Sequence, residues 1–130
     1  MNHGIMTQGQ LTAIDQVLKE KLIENGVDCV ILIDMAGNTI ASHDNGHTEI
    51  DTAAFAALAA GNFAAVDAMA RLVGESEFSL LFHKGEKANI HFSKVTDELL
   101  LITMFDKEVA LGLVRLKVAD TITEINGIVA

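Results

Sequence analysis

A long alanine-rich segment, residues 51–73, most constrains what this chain can fold into. It contains no proline, and Asp51 at its start can accept hydrogen bonds from the free backbone amides of a helix. Past that cap, its only charged residues are Asp67 and Arg71. A helix that is apolar nearly all round is usually buried nearly all round. A chain of 130 residues cannot easily cover both sides of such a helix, so we predict that something outside the chain covers part of it.

A helical wheel divides this segment into three parts. The predicted core stripe consists of Phe55, Ala59, Phe63, Val66, Ala70 and Val73. The flank beside it consists of Leu58, Ala65, Met69 and Leu72. The back consists of Ala57, Ala60, Gly61, Ala64 and Ala68. Small residues of this kind allow another backbone to approach closely, although alanine is also the best intrinsic helix former.

Composition indicates one domain over residues 1–130, with residues 1–6 expected to be a flexible tail. The net charge of −9 argues against binding to nucleic acid or to an anionic membrane, since both need basic patches. No window has the run of about 18 apolar residues typical of a membrane span. The start lacks the form of a signal peptide, and Cys29 is the only cysteine, so we expect a cytoplasmic protein.

The other segments predict the order α-β-β-α-β-β-β-α. An amphipathic helix over 7–25 stops at Gly26, and residues 29–42 predict a hairpin. A second hairpin joins 78–82 to 87–93, and a strand over 99–105 precedes the last helix. The predicted buried stripe of this helix consists of Leu111, Val114, Val118, Ile122 and Ile125. If the apolar residues of this second hairpin share one face, its loop must have an odd length, and we predict three residues, 83–85.

Two of these strands, 29–33 and 99–105, are apolar on both faces and belong at the centre of the sheet. The hairpins then leave 39–42 and 78–82 as the edges. The second edge is rich in large apolar residues, and an exposed edge of this kind invites pairing with another chain. A twofold axis at this edge therefore predicts a homodimer. Its predicted interface comprises Leu58, Met69, Leu72, Phe78, Ser79, Leu80, Leu81 and Phe82.

The residues give no pattern typical of catalysis or of cofactor binding. His43, Asp44 and His47 are close in sequence, but no third metal ligand accompanies the two histidines, so we predict no metal site. Cys29 lies in an apolar strand and is expected to be a buried hydrophobe rather than a nucleophile. His91 alternates with apolar residues and is expected on the opposite face of its strand. The chain contains no nucleophile elbow and no phosphate-binding loop. We predict no catalytic residues and no cofactor.

Four segments in this order resemble the Roadblock/dynein light-chain domain, and more closely its prokaryotic MglB-type members. They are DCVILIDMAGNTIAS, FAALAAGNFAAVDAMARLVGE, LLFHKGEKANIHF and LLLITMFDKEVALGLVRL. The resemblance covers roughly residues 8–125. It implies an α/β (α+β) sandwich of the profilin/Roadblock type, with a five-stranded, mostly antiparallel sheet that has one helix on one face and two on the other.

The resemblance also implies a function. MglB-type proteins are homodimers that bind a Ras-like, MglA-type small GTPase and stimulate its GTP hydrolysis by repositioning the GTPase's own catalytic groups, without an arginine finger. By this resemblance the chain is a non-catalytic signalling regulator or scaffold. The residues expected to contact the GTPase are Ala57, Gly61, Ala64, Ala65, Ala68 and Arg71.

Two other functions remain open at this stage. A small-molecule sensor needs a cavity lined by convergent polar groups, and the predicted central strands offer mainly leucine, isoleucine and valine. A purely structural dimerisation module in a signalling complex needs only the predicted interface.

Overall fold

The structure is a computed structural model that describes residues 6–46, 49–75 and 81–130. Its elements have the predicted order of helices and strands. They are α1 (Gln8–Lys21), β1 (Val27–Asp34), β2 (Thr39–Asp44), α2 (Thr52–Leu72), β3 (Leu81–Lys84), β4 (Ala88–Lys94), β5 (Leu99–Asp106) and α3 (Leu111–Val129). A short 3-10 helix, Ile23–Asn25, follows α1.

The five strands form one antiparallel sheet in the order β2-β1-β5-β4-β3. β1 and β5 lie at its centre, which confirms the prediction made from their apolar runs. All residues of β1 except Asp28, and all residues of β5 except Asp106, are buried. Continuous burial of this kind requires cover on both faces of the sheet, because successive side chains of a strand point to opposite faces.

The helices supply that cover unequally. α1 and α3 pack on one face, against a core that includes Leu32 and Phe105. α2 packs on the other face, against a core that includes Ile31 and Ile102. This confirms the predicted sandwich with two helices on one face of the sheet and one on the other.

The β3–β4 hairpin corrects the predicted loop length. Phe82 pairs with His91, and the Gly85 amide donates to the Ala88 oxygen at 2.9 Å, so the pairing continues beyond the strands to Gly85 and Ala88. Only residues 86 and 87 lie between that last pair, two instead of the predicted three. Phe82 therefore points to the face of α1 and α3, where its ring centroid lies 6.3 Å from that of Phe105. The prediction was wrong because it assumed that the apolar residues share one face. A sheet covered on both faces does not require this.

The ends of the elements follow local chemistry. The Asp51 carboxylate caps α2 as predicted, accepting a hydrogen bond from the Ala54 amide at 3.1 Å. Gly26, with a φ of 100°, ends the first helical region as predicted. β2 continues through Asp44, so His43 lies in a strand instead of the predicted loop.

The turn between β1 and β2 fixes α2 on the sheet. The Asp34 carboxylate accepts hydrogen bonds from the backbone amides of Ala36 and Asn38, at 3.0 and 2.8 Å. Gly37 has a φ of 93°, and a Cβ atom added there would lie 3.0 Å from the Cα of Ala57. Glycine is therefore needed both for the backbone conformation and for the close approach of the turn to α2.

Candidate protein-binding surfaces

α2 packs on the sheet through a strip of small side chains. Its buried residues are Ala56, Ala59, Ala60 and Ala70. The predicted core stripe is correct for Ala59 and Ala70, and its half-buried Phe55 and Phe63 pack against the same core. Ala60 was assigned to the back and is buried. Val73 was assigned to the core and is 72% exposed, because it is the C-cap residue and lies beyond the last helical turn. In a helix of mostly alanine, a helical wheel only weakly favours one orientation of the helix toward the sheet. This explains why Ala60 and Val73 were assigned to the wrong sides.

Three large aliphatic side chains of α2 point away from the sheet, whereas Phe55 and Phe63 pack against its core. Leu58 is 75% exposed, Leu72 is 87% exposed and Met69 is 54% exposed. These are the three helix residues predicted to contact a second copy of the chain. A contiguous exposed apolar patch on a folded domain is typical of a protein-binding surface.

The residues predicted to contact a GTPase lie on the same helix, and all six of them are exposed. They are Ala57, Gly61, Ala64, Ala65, Ala68 and Arg71. Arg71 donates to the Asp67 carboxylate one helical turn earlier. The structure therefore brings both predicted sets onto the solvent side of α2.

Gly61 has no visible role within its own chain. A Cβ atom built there meets no atom of the described residues within 4 Å. Glycine inside a helix is about 1 kcal/mol less favourable than alanine, so its presence on this exposed face favours a close contact with another backbone.

α2 is also the single helix in the described ranges with the length and apolar composition of a membrane span. The core helices of soluble proteins share this length and composition. Only 22% of its most apolar window is buried within the chain. The helix is therefore apolar but largely uncovered.

An apolar cleft of about 220 Å³ extends this surface from α2 to the β3–β4 hairpin. It is lined by Phe55, Leu58, Ala59, Asn62, His83, Ile90 and Phe92. The His83 ring meets the Phe92 ring edge-on at a centroid distance of 5.5 Å. A second cleft, on the side of Met35 and Lys94, has about 160 Å³. Ligand pockets usually have about 300–1,000 Å³, so neither volume favours a small-molecule sensor.

β3 forms the edge of the sheet beside this cleft, and it pairs only with β4 among the described strands. The predicted interface residues Phe78, Ser79 and Leu80 lie outside the described residues. Leu81 begins β3, and the half-buried Phe82 packs into its own chain against Phe105. The part of β3 that is available to a second chain is therefore its backbone, more than the Phe82 side chain.

The described residues contain no group of three or more His, Cys, Asp or Glu side chains that could hold a metal ion. His43 Nε2 lies 3.7 Å from the Asp15 carboxylate of α1, and His47 lies outside the described residues.

Burial, with added repulsion from Asp44 and Asp28, raises the pKa of the Cys29 thiol to about 11. The thiol is therefore protonated at neutral pH and is a poor nucleophile.

His91 is buried on the face covered by α1 and α3, opposite the apolar neighbours on its strand, as predicted. It is 3% exposed, and its Nδ1 lies 3.3 Å from the Ser93 hydroxyl. Its Nε2 has no hydrogen-bond partner among the described residues. Burial, and to a smaller extent the positive charge of Arg115, lowers the pKa of His91 below its ordinary value of 6.5.

This lowered pKa predicts a pH dependence of stability. Below pH 6.5 the unfolded chain binds a proton that the folded chain resists, so the free energy of unfolding should fall as the pH falls from 7.5 to 5.5. By pH 5.5 the loss amounts to at most about 1.4 kcal/mol, because this pH lies one unit below the ordinary pKa of 6.5. Urea unfolding at a fixed protein concentration should show a smaller fall for His91→Gln than for the wild type. The exposed His83→Gln is the control, and an equal fall in all three proteins would contradict the assignment.

Sequence reasoning missed a second set of exposed leucines. Leu113 is 43% exposed and Leu116 is 59% exposed, both on α3. The predicted stripe of that helix includes Val114 and Val118, which are indeed buried. Leu113 and Leu116 had no place in the predicted stripe.

Comparisons with known proteins agree with this architecture. Residues 13–105 match the Roadblock/LC7 domain, and no curated protein matches the chain. The structure is similar to Myxococcus xanthus MglB, with 34% identity over 95% of this chain and 92% of that chain and a TM-score of 0.87. It is also similar to a structure described as MglB with a tetrameric arrangement, with 28% identity, coverage of 95% and 93%, and a TM-score of 0.88.

A more distant likeness concerns the fold alone. Profilin II of Acanthamoeba castellanii is 18% identical over 87% of this chain and 96% of its own, with a TM-score of 0.63. The family match spans well over half of the chain, and the MglB similarity spans nearly all of it. The chain therefore belongs to the Roadblock/LC7 domain family, and within it resembles the MglB proteins.

Proposed function

We propose that the chain forms a homodimer through the outer face of α2 and the free edge of β3. Leu58 and Met69 are exposed on the helix, and the apolar cleft of about 220 Å³ connects the helix to the sheet edge. A twofold axis there would cover the leucines and pair the free backbone groups of β3 at once. The chain's likeness to MglB, including a structure described as tetrameric, supports self-association.

This dimer binds a Ras-like, MglA-type small GTPase and regulates its GTP hydrolysis. The proposal is supported by 34% identity to MglB and by the small exposed residues of α2, which leave room for a partner. The chain acts by positioning groups of the GTPase and supplies no catalytic residue. Arg71 is already paired with Asp67 on the same helix, so it is not held in readiness as an arginine finger. We expect this interaction to take place in the cytoplasm.

A single observation carries this proposal. α2 is a helix of 21 residues of which only Ala56, Ala59, Ala60 and Ala70 are buried, although it is one of the most apolar segments of the chain. The rest of the helix is left for a second copy and a GTPase to cover.

GTP hydrolysis by the cognate GTPase, measured with and without the chain, tests the regulatory role. We expect the hydrolysis rate to rise with increasing chain concentration and to saturate at a fixed ratio of the two proteins. Binding of the GTP-loaded GTPase with no change in rate would contradict a regulator and leave a scaffold. Absence of binding would contradict both.

A further inference from the structure

Two buried polar atoms on β4 have no hydrogen-bond partner in the chain. They are Oδ1 of Asn89 and Nε2 of His91, and among the described residues they are the only buried side-chain atoms of this kind. Asn89 is 6% exposed and His91 is 3% exposed. A buried polar atom without a partner is destabilising and rare in folded proteins, so two of them on one strand require an explanation.

The two side chains lie next to each other on one face of the sheet. Residues two apart on a strand point to the same face, and their Cα atoms are about 6–7 Å apart. On β5, Asn89 pairs with Phe105 and His91 pairs with Thr103, and both partners are fully buried. Phe105 belongs to the core beneath α1 and α3. Asn89 and His91 therefore face that core, on the opposite side of the sheet from α2.

The His91 ring turns its unpartnered nitrogen toward Asn89. Its Nδ1 atom lies 3.3 Å from the hydroxyl of Ser93, the next residue along β4 on the same face. In an imidazole ring, Nε2 lies at the outer end of the edge opposite Nδ1. Ser93 and Asn89 lie on opposite sides of His91 along the strand, so this edge faces Asn89, the residue that carries the unpartnered oxygen.

The helix above this pair offers it no polar partner. The charge of Arg115 on α3 acts on His91, so the first half of α3 lies over this part of β4. The residues of that half that pack into the core are Leu111, Val114 and Val118, and all three are apolar. The backbone groups inside a helix are already bonded to one another, and Arg115 itself is exposed.

We propose that one buried water molecule binds between β4 and α3 and joins Asn89 Oδ1 to His91 Nε2. The two atoms make no direct hydrogen bond, and a water with one bond to each can join atoms that lie up to about 6 Å apart. The water donates one hydrogen to Oδ1. Its lone pair or its second hydrogen then serves Nε2 in either tautomer of a neutral imidazole, which gives the water the two polar partners that a buried water needs.

This water site is independent of the proposed dimer and of the GTPase surface. It lies beneath α3, whereas both of those surfaces lie on α2 and β3, and the site needs no second chain. Its function is structural, because it satisfies the two polar side chains that β4 places in an apolar core.

A crystal structure tests the site directly. We expect one ordered water within about 3.2 Å of both Asn89 Oδ1 and His91 Nε2. Asn89→Leu has a side chain of similar size without an acceptor and should lose this water, whereas Ser93→Ala removes the other neighbour of His91 and should keep it. A wild-type structure in which Asn89 bonds His91 directly, Arg115 donates to Oδ1, or no water contacts both atoms would overturn the proposal.

Melting temperatures of the full chain, at one protein concentration, test whether the two atoms share a partner. Asn89→Leu and His91→Phe each leave the other atom of the pair without its full bonding, so each should lower the melting temperature by about 3–10 °C. The double variant removes both polar groups and should melt at least as high as either single variant.

The matched control for this cycle combines Asn89→Leu with Ser93→Ala. Ser93 lies beyond His91 on the strand and does not belong to the proposed bridge, so the losses of these two substitutions should add. If the losses of Asn89→Leu and His91→Phe also simply add, the two atoms do not share a water, and the proposal is wrong.

Discussion

Replacing Ala64 or Ala68 with glutamate is expected to abolish GTPase binding and leave the chain folded. Both alanines are exposed on the outer side of α2, and glutamate is a good helix former, so the helix itself should lose little stability. In a complex the new carboxylate would be buried without a partner. An uncompensated buried charge costs about 3–5 kcal/mol, equivalent to a loss of affinity of about 100-fold or more.

Calorimetric titration of the GTP-loaded GTPase measures this loss directly. Thr12→Glu is the matched control, because it adds the same charge at an exposed position of α1. It should bind the GTPase as the wild type does. A circular-dichroism melt of each variant establishes that it is folded. If Ala64→Glu and Ala68→Glu both bind with unchanged affinity, the outer side of α2 is not the GTPase surface.

Replacing Leu58 with glutamate is expected to convert the homodimer into monomers. A twofold axis places two copies of Leu58 in one interface, and burying a leucine is worth about 1.5–3 kcal/mol. Loss of both copies should raise the dissociation constant of the dimer by about 100-fold or more, before the cost of the added charge. Light scattering during gel filtration at micromolar concentration gives the mass of each variant.

The same measurement has an internal control. Leu116→Glu replaces an exposed leucine of similar accessibility on the opposite face, and it should leave the dimer intact. A Leu58→Glu chain that keeps the mass of a dimer would contradict the proposed α2 interface.

The general fold could be predicted because its central strands have a simple pattern. β1 and β5 are apolar on both faces, and only the middle of a sheet covered on both sides accommodates such strands. The cap at Asp51 and the helix end at Gly26 could be predicted for a similar reason, since each depends only on the residues at one end of a helix. These features need no knowledge of distant contacts.

Other features depend on contacts that no local pattern contains. The loop of the β3–β4 hairpin was predicted too long because the destination of Phe82, against Phe105 on the other face, is a tertiary contact. The buried side of α2 was rotated because alanine fits a core and a surface equally well, as Ala60 shows. On α3, the sequence pattern revealed the buried valines but gave no reason to notice Leu116, whose exposure follows only from the packed structure.

Oxidation of Met69 by hydrogen peroxide tests the central claim most directly, namely that another chain covers the outer face of α2. Met69 is 54% exposed in the single chain, whereas Met104, on β5, is 7% exposed and serves as the internal reference for a buried methionine. Mass spectrometry of peptides gives both rates. We expect Met69 to oxidise slowly in the wild-type dimer, close to the rate of Met104, and much faster in the Leu58→Glu chain. A fast rate for Met69 that is the same in both proteins would contradict it.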